Sequence, residues 1–206
     1  MAGRFITLEG GEGVGKSTQV RALAEALRGR GLDAVETREP GGSPGAEAIR
    51  GLLLHEQRWT PEAEALLFAA ARADHVARTI RPALEAGRWV ICDRFVDSSI
   101  AYQGGAGGLG FEPVRALHEV GSHGFLPDRT LLLRLDEDEA ARRAGARDTQ
   151  GADLIGGRDA AYHRAVADAF DRLAAEEPDR YRVVDAGGTP AAVSARLLDA
   201  LADLLP

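Results

Sequence analysis

A glycine-rich segment near the N-terminus constrains the fold of this chain more than any other part of its sequence. The segment reads Gly10-Gly11-Glu12-Gly13-Val14-Gly15-Lys16-Ser17-Thr18, and it follows an apolar run at Phe5–Leu8. It fits the pattern Gly, four residues, Gly, Lys and Ser or Thr, in which backbone N–H groups close around phosphate oxygens. Such a loop binds phosphate only where it connects a buried strand to the N-terminus of a helix. The segment therefore predicts a strand before it and a helix after it.

Lys16 is the only lysine in a chain of 206 residues that contains 24 arginines. A compact ammonium group fits beside β- and γ-phosphates as a point charge, whereas a planar guanidinium prefers forked partners. The composition therefore favours a chemical requirement for lysine at this position. The alternative is a chance match in a glycine-rich chain.

Length, charge and cysteine content limit the class of protein. A chain of 206 residues fits a single domain, residues 1–206, and its net charge of −7 provides no global basic field for nucleic acid. The single cysteine, Cys92, excludes an internal disulfide and is expected to be a buried strand residue in a reducing compartment. No apolar run is long enough to span a bilayer, and a cleaved signal peptide would remove the glycine loop. We therefore expect a cytoplasmic protein without membrane or nucleic-acid partners.

Short apolar runs alternate with longer helical patterns, which is typical of βαβ units and a parallel sheet. The continuous apolar character of these runs suits strands covered on both faces. The predicted strands are Phe5–Leu8, Ala34–Thr37, Trp89–Cys92, Thr130–Leu135 and Tyr181–Val184. The sequence thus predicts an α/β fold with a five-stranded parallel sheet flanked by helices on both faces.

Helix boundaries follow from capping residues and prolines. The first helix is expected to begin within the glycine loop and to end before Gly31, and Thr60-Pro61-Glu62 has the composition of a helix start. That second helix is predicted to reach Arg81, where Pro82 kinks it or starts a short helix ending at Gly87. A C-terminal helix is expected to open in the same way, at Thr189-Pro190.

Two glycine-rich stretches, Gln103–Gly110 and Gly145–Gly157, are predicted to be loops. Arg142 and Arg143 stand just before the second one, and Arg147 lies within it. Phosphoryl transfer requires charge neutralisation and exclusion of water, and a closing lid that carries arginines supplies both. The alternative is a solvated basic helix end.

Charged residues follow two predicted strands at the edge where ligands bind in open parallel sheets. Asp93-Arg94 follows one strand, and Thr37–Gly42 contributes a cation and an anion after another. An acid here can reach Mg²⁺ through water, and an arginine can bridge phosphates. A simple surface turn with an internal ion pair is the alternative at each place.

Phe68 and Arg72 are four residues apart and share one helix face. An aromatic ring that stacks on a base and a guanidinium that donates to its carbonyl would form a base pocket. Spacing alone favours the simpler interpretation, a core phenylalanine and a solvated arginine. The histidines have no metal-ligand spacing and receive no role; they are His55, His75, His118, His123 and His163.

Four segments together resemble bacterial thymidylate kinases in their order and spacing: Phe5–Thr18, Thr37–Gly42, Leu67–Arg72 and Asp93–Gly104. The resemblance implies a P-loop NTPase fold with a small lid segment at about 142–157. It also implies transfer of the γ-phosphoryl group of ATP to dTMP, giving dTDP and ADP in dTTP synthesis. The implied enzyme depends on Mg²⁺ and is a cytoplasmic homodimer.

The resemblance assigns the acceptor, dTMP, to eight positions, namely Glu12, Arg38, Phe68, Arg72, Arg94, Ser99, Tyr102 and Gln103. Arg38 and Arg94 would hold the phosphate, and Glu12 would lie near the sugar 3′-hydroxyl. Phe68 would stack on thymine and Arg72 would bind its carbonyl. The side chains of Ser99 and Gln103 would read the base edge, and that of Tyr102 would crowd the ribose 2′ position.

The donor and the metal are assigned in the same way. ATP would contact the loop residues Gly10, Gly11, Glu12, Gly13, Val14, Gly15, Lys16, Ser17 and Thr18, with Arg142 and Arg143 near the adenine. The implied catalytic residues are Lys16, Glu12, Arg94 and Arg147. Arg147 is included because Gly13 stands where some relatives carry a loop arginine. Mg²⁺ would be held by Ser17, Asp93 through water, and Glu12.

The chain departs from the family pattern at the base-binding helix, where Ala71 replaces a frequent Asp, and after the lid, at Asp153–Gly156. Leu154 and Gly156 leave open a non-catalytic relative that binds both nucleotides. Another nucleoside monophosphate kinase is a second alternative. A nucleotide-dependent switch is a third, although its guanine-reading motif requires asparagine, which this chain lacks.

Overall fold

The computed structural model describes residues 3–56, 59–136, 138–140, 142–143 and 158–206. Five strands form one parallel sheet in the order β2-β3-β1-β4-β5. They are β1 Phe5–Glu9, β2 Ala34–Arg38, β3 Trp89–Asp93, β4 Arg129–Arg134 and β5 Tyr181–Asp185. The predicted sheet is confirmed. β1 lies at its centre, and the strand order runs outwards from it in both directions, through β3 to β2 on one side and through β4 to β5 on the other. In open sheets this reversal of strand order creates the crevice in which ligands bind.

Helices connect the strands and cover the sheet. They are α1 Lys16–Gly29, α2 Pro44–Gly51, α3 Pro61–His75, α4 Arg81–Glu85, α5 Val96–Ser99, α6 Phe111–Ser122, α7 Ala160–Glu176 and α8 Pro190–Asp199. Three wider helical turns of the π type extend α2, α3 and α5, at Leu52–Glu56, Val76–Ile80 and Ile100–Ala106. No helix within the described ranges has the length and apolar character needed to cross a membrane.

Successive residues of β1 point to opposite faces of the sheet and join different cores. Phe5 packs with Phe95 and Phe170 on one face, whereas Ile6 packs with Leu23 and other side chains of α1 and α8 on the opposite face. This period of two is what a strand covered on both sides requires. The predicted burial of Cys92 is confirmed, since its side chain is fully enclosed.

The predicted loop at Gln103–Gly110 is wrong in its first half, because Ile100–Ala106 is helical. The glycines here allow close packing instead of breaking the helix. A Cβ on Gly104 would lie 2.9 Å from the carbonyl oxygen of Gly110, and one on Gly105 would lie 2.8 Å from the Cβ of Ala169 in α7. The chain turns only afterwards, where Gly108 and Gly110 have positive φ.

The predicted helix from Thr60 continues to Arg81 as expected, although its last part is not α-helical. Thr60 caps α3 by accepting a hydrogen bond from the N–H of Ala63, but α3 ends at His75 and a wider turn follows. Pro82 lies in the first turn of α4, as one of the two alternatives predicted. The lid predicted at about 142–157 lies outside the described residues, apart from Arg142 and Arg143.

Candidate active site

The glycine loop joins β1 to α1 at the carboxyl end of the central strand. Gly10, Gly13 and Gly15 have φ values of 137°, 75° and 91°, which L side chains rarely adopt. A Cβ on Gly10 would also lie 2.6 Å from the carbonyl oxygen of Leu133. No side chain caps the N-terminus of α1, so its partial positive charge faces the loop.

Lys16 lies under this loop with only 7% of its surface exposed. Its ammonium group donates hydrogen bonds to the carbonyl oxygens of Gly10, at 3.1 Å, and Gly11, at 2.6 Å. Burial and, to a smaller extent, the nearby guanidinium of Arg94 lower the pKa of Lys16 to about 8. A phosphate anion bound beside the ammonium group would offset this desolvation and raise the pKa of Lys16 again.

Ser17 and Asp93 place two oxygen ligands side by side. The Ser17 hydroxyl donates to Oδ2 of Asp93 at 2.6 Å, across the gap between the first turn of α1 and the end of β3. Hydroxyl and carboxylate oxygens are the ligands Mg²⁺ prefers. No group of three or more His, Cys, Asp or Glu side chains in the described parts of the chain could hold a metal by itself. The pair therefore fits Mg²⁺ that also binds phosphate oxygens and water.

Arg94 extends across the loop from the strand end, with a positive φ of 70°. Its guanidinium donates to the carbonyl oxygen of Gly10 at 3.0 Å and to the carboxylate of Glu12 at 2.5 Å. It also donates to the hydroxyl of Tyr102 at 3.1 Å and lies over that ring. The Tyr102 hydroxyl donates in turn to Glu12, at 3.4 Å.

Glu9, at the end of β1, holds the chain segment that carries Arg94. Its fully buried carboxylate accepts hydrogen bonds from the N–H of Phe95 at 2.7 Å and the hydroxyl of Ser98 at 2.6 Å. Burial raises the pKa of Glu9 to about 8, with the neighbouring carboxylate of Asp97 adding to the effect. These two hydrogen bonds, both to residues that follow Arg94, thus stabilise a backbone conformation that a non-glycine residue rarely adopts.

Arg72 is buried, with 2% of its surface exposed, so the interpretation of this residue as solvated is wrong. Its guanidinium donates to the carboxylate of Glu39 at 2.8 Å and to the hydroxyl of Ser99 at 2.7 Å. His75 also contacts Glu39, at 3.0 Å, and its other ring nitrogen lies 2.6 Å from the Thr37 hydroxyl. Burial alone would raise the pKa of Glu39, but Arg72 and His75 outweigh it and keep that pKa below its usual value.

Phe68 and Gln103 complete the same end of the site. Phe68 packs against Leu53 and Leu54 and is therefore part of a small core, as one interpretation predicted, and it also lines the cavity. Gln103 is 2% exposed and donates from Nε2 to the carboxylate of Glu64 at 2.9 Å.

A single cavity of about 270 Å³ connects these groups. It extends from the glycine loop and the end of β3 to the aromatic and amide side chains of α3 and the helical turn after α5. Its lining includes Glu12, Gly13, Gly15, Lys16, Ser17, Arg38, Phe68, Arg72, Asp93, Arg94, Ser99, Tyr102 and Gln103. Most of the residues assigned to the site from sequence are therefore brought to one cavity.

Of the other arginines assigned to the site, Arg38 lines the cavity, whereas Arg142 and Arg143 are not among its lining residues. Arg38 is half exposed and paired with Glu47 at 3.0 Å. Arg142 is exposed, and Arg143 donates to the carbonyl oxygen of Ala186, just after β5, at 3.4 Å. Arg147 lies outside the described residues.

Comparisons with known proteins agree with this geometry. A sequence model of the family described as thymidylate kinase matches residues 8–197. The chain belongs to the thymidylate kinase family. It is 67% identical to thymidylate kinase of Rhizorhabdus wittichii over the full length of both proteins, and 46% identical to that of Bradyrhizobium diazoefficiens, over 99% of this chain and 91% of the relative. The crystal structure of thymidylate kinase from Ehrlichia chaffeensis superposes with a TM-score of 0.79 at 32% identity, over 98% of this chain and all of that one.

Sequence reasoning missed Glu9 behind the site of this thymidylate kinase family member, and it placed the anion Glu39 at the sheet edge without predicting its burial. Glu9 and Glu39 touch site residues, and His75, to which no role was assigned, contacts Glu39. Glu9 directly precedes the glycine loop and Glu39 directly follows Arg38, so both acids lie at the ends of predicted strands. The sequence signal that could have found them is an acidic residue at the end of an apolar strand.

Proposed function

We propose that this chain transfers the γ-phosphoryl group of ATP to dTMP and releases dTDP and ADP, a step in dTTP synthesis. One observation carries the proposal: a single cavity connects the ammonium of Lys16 to a pocket lined by Phe68, Arg72 and Gln103. A phosphate-binding loop at one end, and a pocket lined by an aromatic ring, a guanidinium and an amide at the other, match a donor triphosphate and a pyrimidine base. Membership of the thymidylate kinase family supports the same reaction.

The reaction needs no nucleophile from the protein. A phosphate oxygen of dTMP forms the new bond to the γ-phosphorus, and the bond between that phosphorus and the bridging oxygen of ADP breaks. Lys16 would neutralise the β- and γ-phosphates, and Arg94 would hold the acceptor phosphate in line. Catalysis would then consist of positioning and charge neutralisation in a site shielded from water.

Ser17, Glu12 and Asp93, the last through water, would hold Mg²⁺. The ion would supply positive charge to the β- and γ-phosphates and so favour bond cleavage. The hydrogen bond between Ser17 and Asp93 supports this part of the proposal, because it already places two suitable oxygens together.

Arg38 and Arg94 would bind the acceptor phosphate from opposite sides. Glu12 lies against Arg94 and Tyr102, so the three would form the wall next to the sugar. Tyr102 is 4% exposed and held by two hydrogen bonds, which suits a side chain that excludes a ribose 2′-hydroxyl.

Phe68 would stack on the thymine ring, and Arg72 would donate to its carbonyl oxygen. Ser99 and Gln103 would complete the contacts with the base edge. The buried pairing of Arg72 with Glu39 supports this assignment, because it fixes the guanidinium in one orientation.

On the donor side, we propose that the glycine loop binds ATP and that Arg142 and Arg143 lie near the adenine. Arg147, within a lid at about 142–157, would be the arginine that neutralises charge in the transition state. The chain would act as a single domain, as a homodimer and in the cytoplasm.

A coupled assay with ATP, MgCl₂ and dTMP tests the function directly. We expect ADP formation that depends on dTMP, and weaker activity with dCMP and GMP. Well-folded protein that forms no ADP with dTMP would refute the proposal and favour a nucleotide-binding relative without activity. A higher rate with another nucleoside monophosphate would show that this nucleotide, and not dTMP, is the preferred acceptor.

A further inference from the structure

The Gln103 side chain has a fixed amide orientation because of its neighbour Glu64. Nε2 of Gln103 lies 2.9 Å from Oε1 of Glu64, in the first turn of α3. A carboxylate can only accept hydrogen bonds, so the NH₂ group of the amide must face Glu64. The carbonyl oxygen of Gln103 is therefore directed away from Glu64, and the residue lines the cavity.

Glu64 is itself held in place from its other side. Its second carboxylate oxygen accepts a hydrogen bond from Arg158 at 2.8 Å, and its side chain is only 13% exposed. Arg158 lies over the ring of Tyr162, whose hydroxyl donates to the carbonyl oxygen of Tyr102 at 3.0 Å. Two contacts from the start of α7 thus fix the positions of both Glu64 and the backbone next to Gln103.

The side-chain oxygen of Gln103, Oε1, has no hydrogen-bond donor among the residues that the structure describes. It presents an acceptor at the base end of the cavity. A thymine or uracil base carries a donor, N3–H, on its pairing edge, whereas cytosine carries a lone pair at N3. An acceptor with fixed orientation therefore favours the first two bases and opposes the third.

We propose that Glu64 is a positioning residue that sets the acceptor specificity of this chain by locking the amide of Gln103. This inference rests on the proposed function, since it concerns the nucleotide that occupies the acceptor pocket. Glu64 acts through Gln103 and touches no reacting atom. Arg158 aligns the carboxylate, but the discrimination between bases comes from the contact of Glu64 with Gln103.

The test is Glu64→Gln, measured as kcat/KM for dTMP, dUMP and dCMP. An amide at this position can donate or accept, so it no longer dictates the orientation of Gln103. We expect the preference for dTMP over dCMP to fall by roughly three- to tenfold, the size of one hydrogen bond. The ratio of dTMP to dUMP should stay the same, because both bases carry N3–H. A merely structural role would lower all three values together.

Two single variants separate this effect from other consequences of the change. Glu62→Gln removes an exposed acid from the same first turn of α3 and should leave the dTMP to dCMP ratio unchanged. Arg158→Gln breaks the contact on the far side of Glu64 while Gln103 keeps its partner. A loss of discrimination in Arg158→Gln as large as that in Glu64→Gln would overturn the proposal.

A double-mutant cycle gives a second readout. In a Gln103→Ala background, Glu64→Gln should have no further effect on the ratio. Wild-type enzyme without any preference over dCMP, or an unchanged ratio in Glu64→Gln, would disprove the role of Glu64 while leaving dTMP phosphorylation intact. Wild-type protein without activity on dTMP would instead refute the proposed function.

Discussion

At the scale of single residues, the site depends on charges that are buried before any substrate arrives. Lys16 is held by two carbonyl oxygens, and Arg94 is held by Gly10, Glu12 and Tyr102. Groups fixed in this way lose little freedom when phosphates bind. The desolvation of Lys16 is the energetic cost of that preorganisation, and it leads to two predictions.

Lys16→Met should reduce kcat by about 10²–10³-fold or more, because it removes a preorganised charge on the transferring phosphoryl group. The fold should persist, since methionine is of similar length and suits a buried position. Initial rates in the coupled assay, with circular dichroism on the same samples, measure both effects. Arg21→Met, which removes an exposed cation from α1, is the matched control and should retain activity. A Lys16→Met enzyme with a near-normal rate would refute the mechanism.

The lowered pKa of Lys16 predicts a pH dependence of stability in the substrate-free protein. The group titrates near pH 8 when folded and near 10.5 when unfolded, so the unfolded chain binds more protons between these values. The contribution of Lys16 is therefore unfavourable below pH 8 and fades as the pH rises towards 10.5. Urea unfolding should show Lys16→Met more stable than wild type at pH 7, with the difference shrinking by pH 10. A difference that stays constant over this range would contradict the lowered pKa.

At the scale of elements, buried ion pairs fix the segment that follows β3. Asp97 in α5 is fully buried, and both of its oxygens accept from Arg180, at 2.6 and 2.9 Å, just before β5. Thr130 in β4 also donates to Asp97, at 3.1 Å. These contacts connect α5, which follows β3, to β4 and to the start of β5, so tertiary contacts stabilise this short helix.

Arg180→Met should lower the free energy of unfolding by about 3–5 kcal/mol, because it leaves the carboxylate of Asp97 buried without a partner. Urea denaturation at pH 7 measures the loss. Adding Asp97→Asn to the same chain should recover part of it, since the uncompensated charge disappears. As a control, Arg78→Met breaks an exposed pair with Asp74 and should change the free energy by less than about 1 kcal/mol. Equal losses in the two single variants would refute the role of burial.

The element scale also shows where sequence patterns fail. Gln103–Gly110 reads as a loop because glycine disfavours helices, yet Gly104 and Gly105 are helical. Glycine is required at both positions because Gly110 and Ala169 lie too close for a Cβ. Packing against α7 outweighs local propensity there. The spacing of Phe68 and Arg72 predicted that they share one helix face. It could not predict that Arg72 is buried, because that depends on its contact with Glu39, which is distant in sequence.

At the scale of the whole molecule, α3 and α6 pack together and expose apolar side chains. Gly121 of α6 approaches the carbonyl oxygen of Ala69 in α3, where an added Cβ would lie 3.4 Å away. Leu66 on α3 and Val120 on α6 are 55% and 82% exposed. A homodimer formed through these helices would bury both side chains, and this is the interface we predict.

Val120→Glu should therefore shift the protein from dimer to monomer in light scattering, because a carboxylate would be buried in an apolar interface. Val183→Glu is the control, since Val183 is 58% exposed on the edge strand β5 and lies outside α3 and α6. A wild-type monomer would refute the dimer. If Val120→Glu kept the mass of a dimer, the dimer interface would have to lie on another surface.

The sequence by itself determined the sheet, the glycine loop and the family, because short apolar runs, the glycine pattern, the lone Lys16 and the order of the family's segments can all be read along the chain. It also indicated which positively charged residues would lie at the carboxyl ends of the strands. The tertiary structure alone decided how those charges are held, since Glu9, Glu39 and Glu64 meet Ser98, Arg72 and Gln103 from distant parts of the sequence. Hydrogen-bond direction depends on which groups face each other across the fold, and no local pattern encodes that.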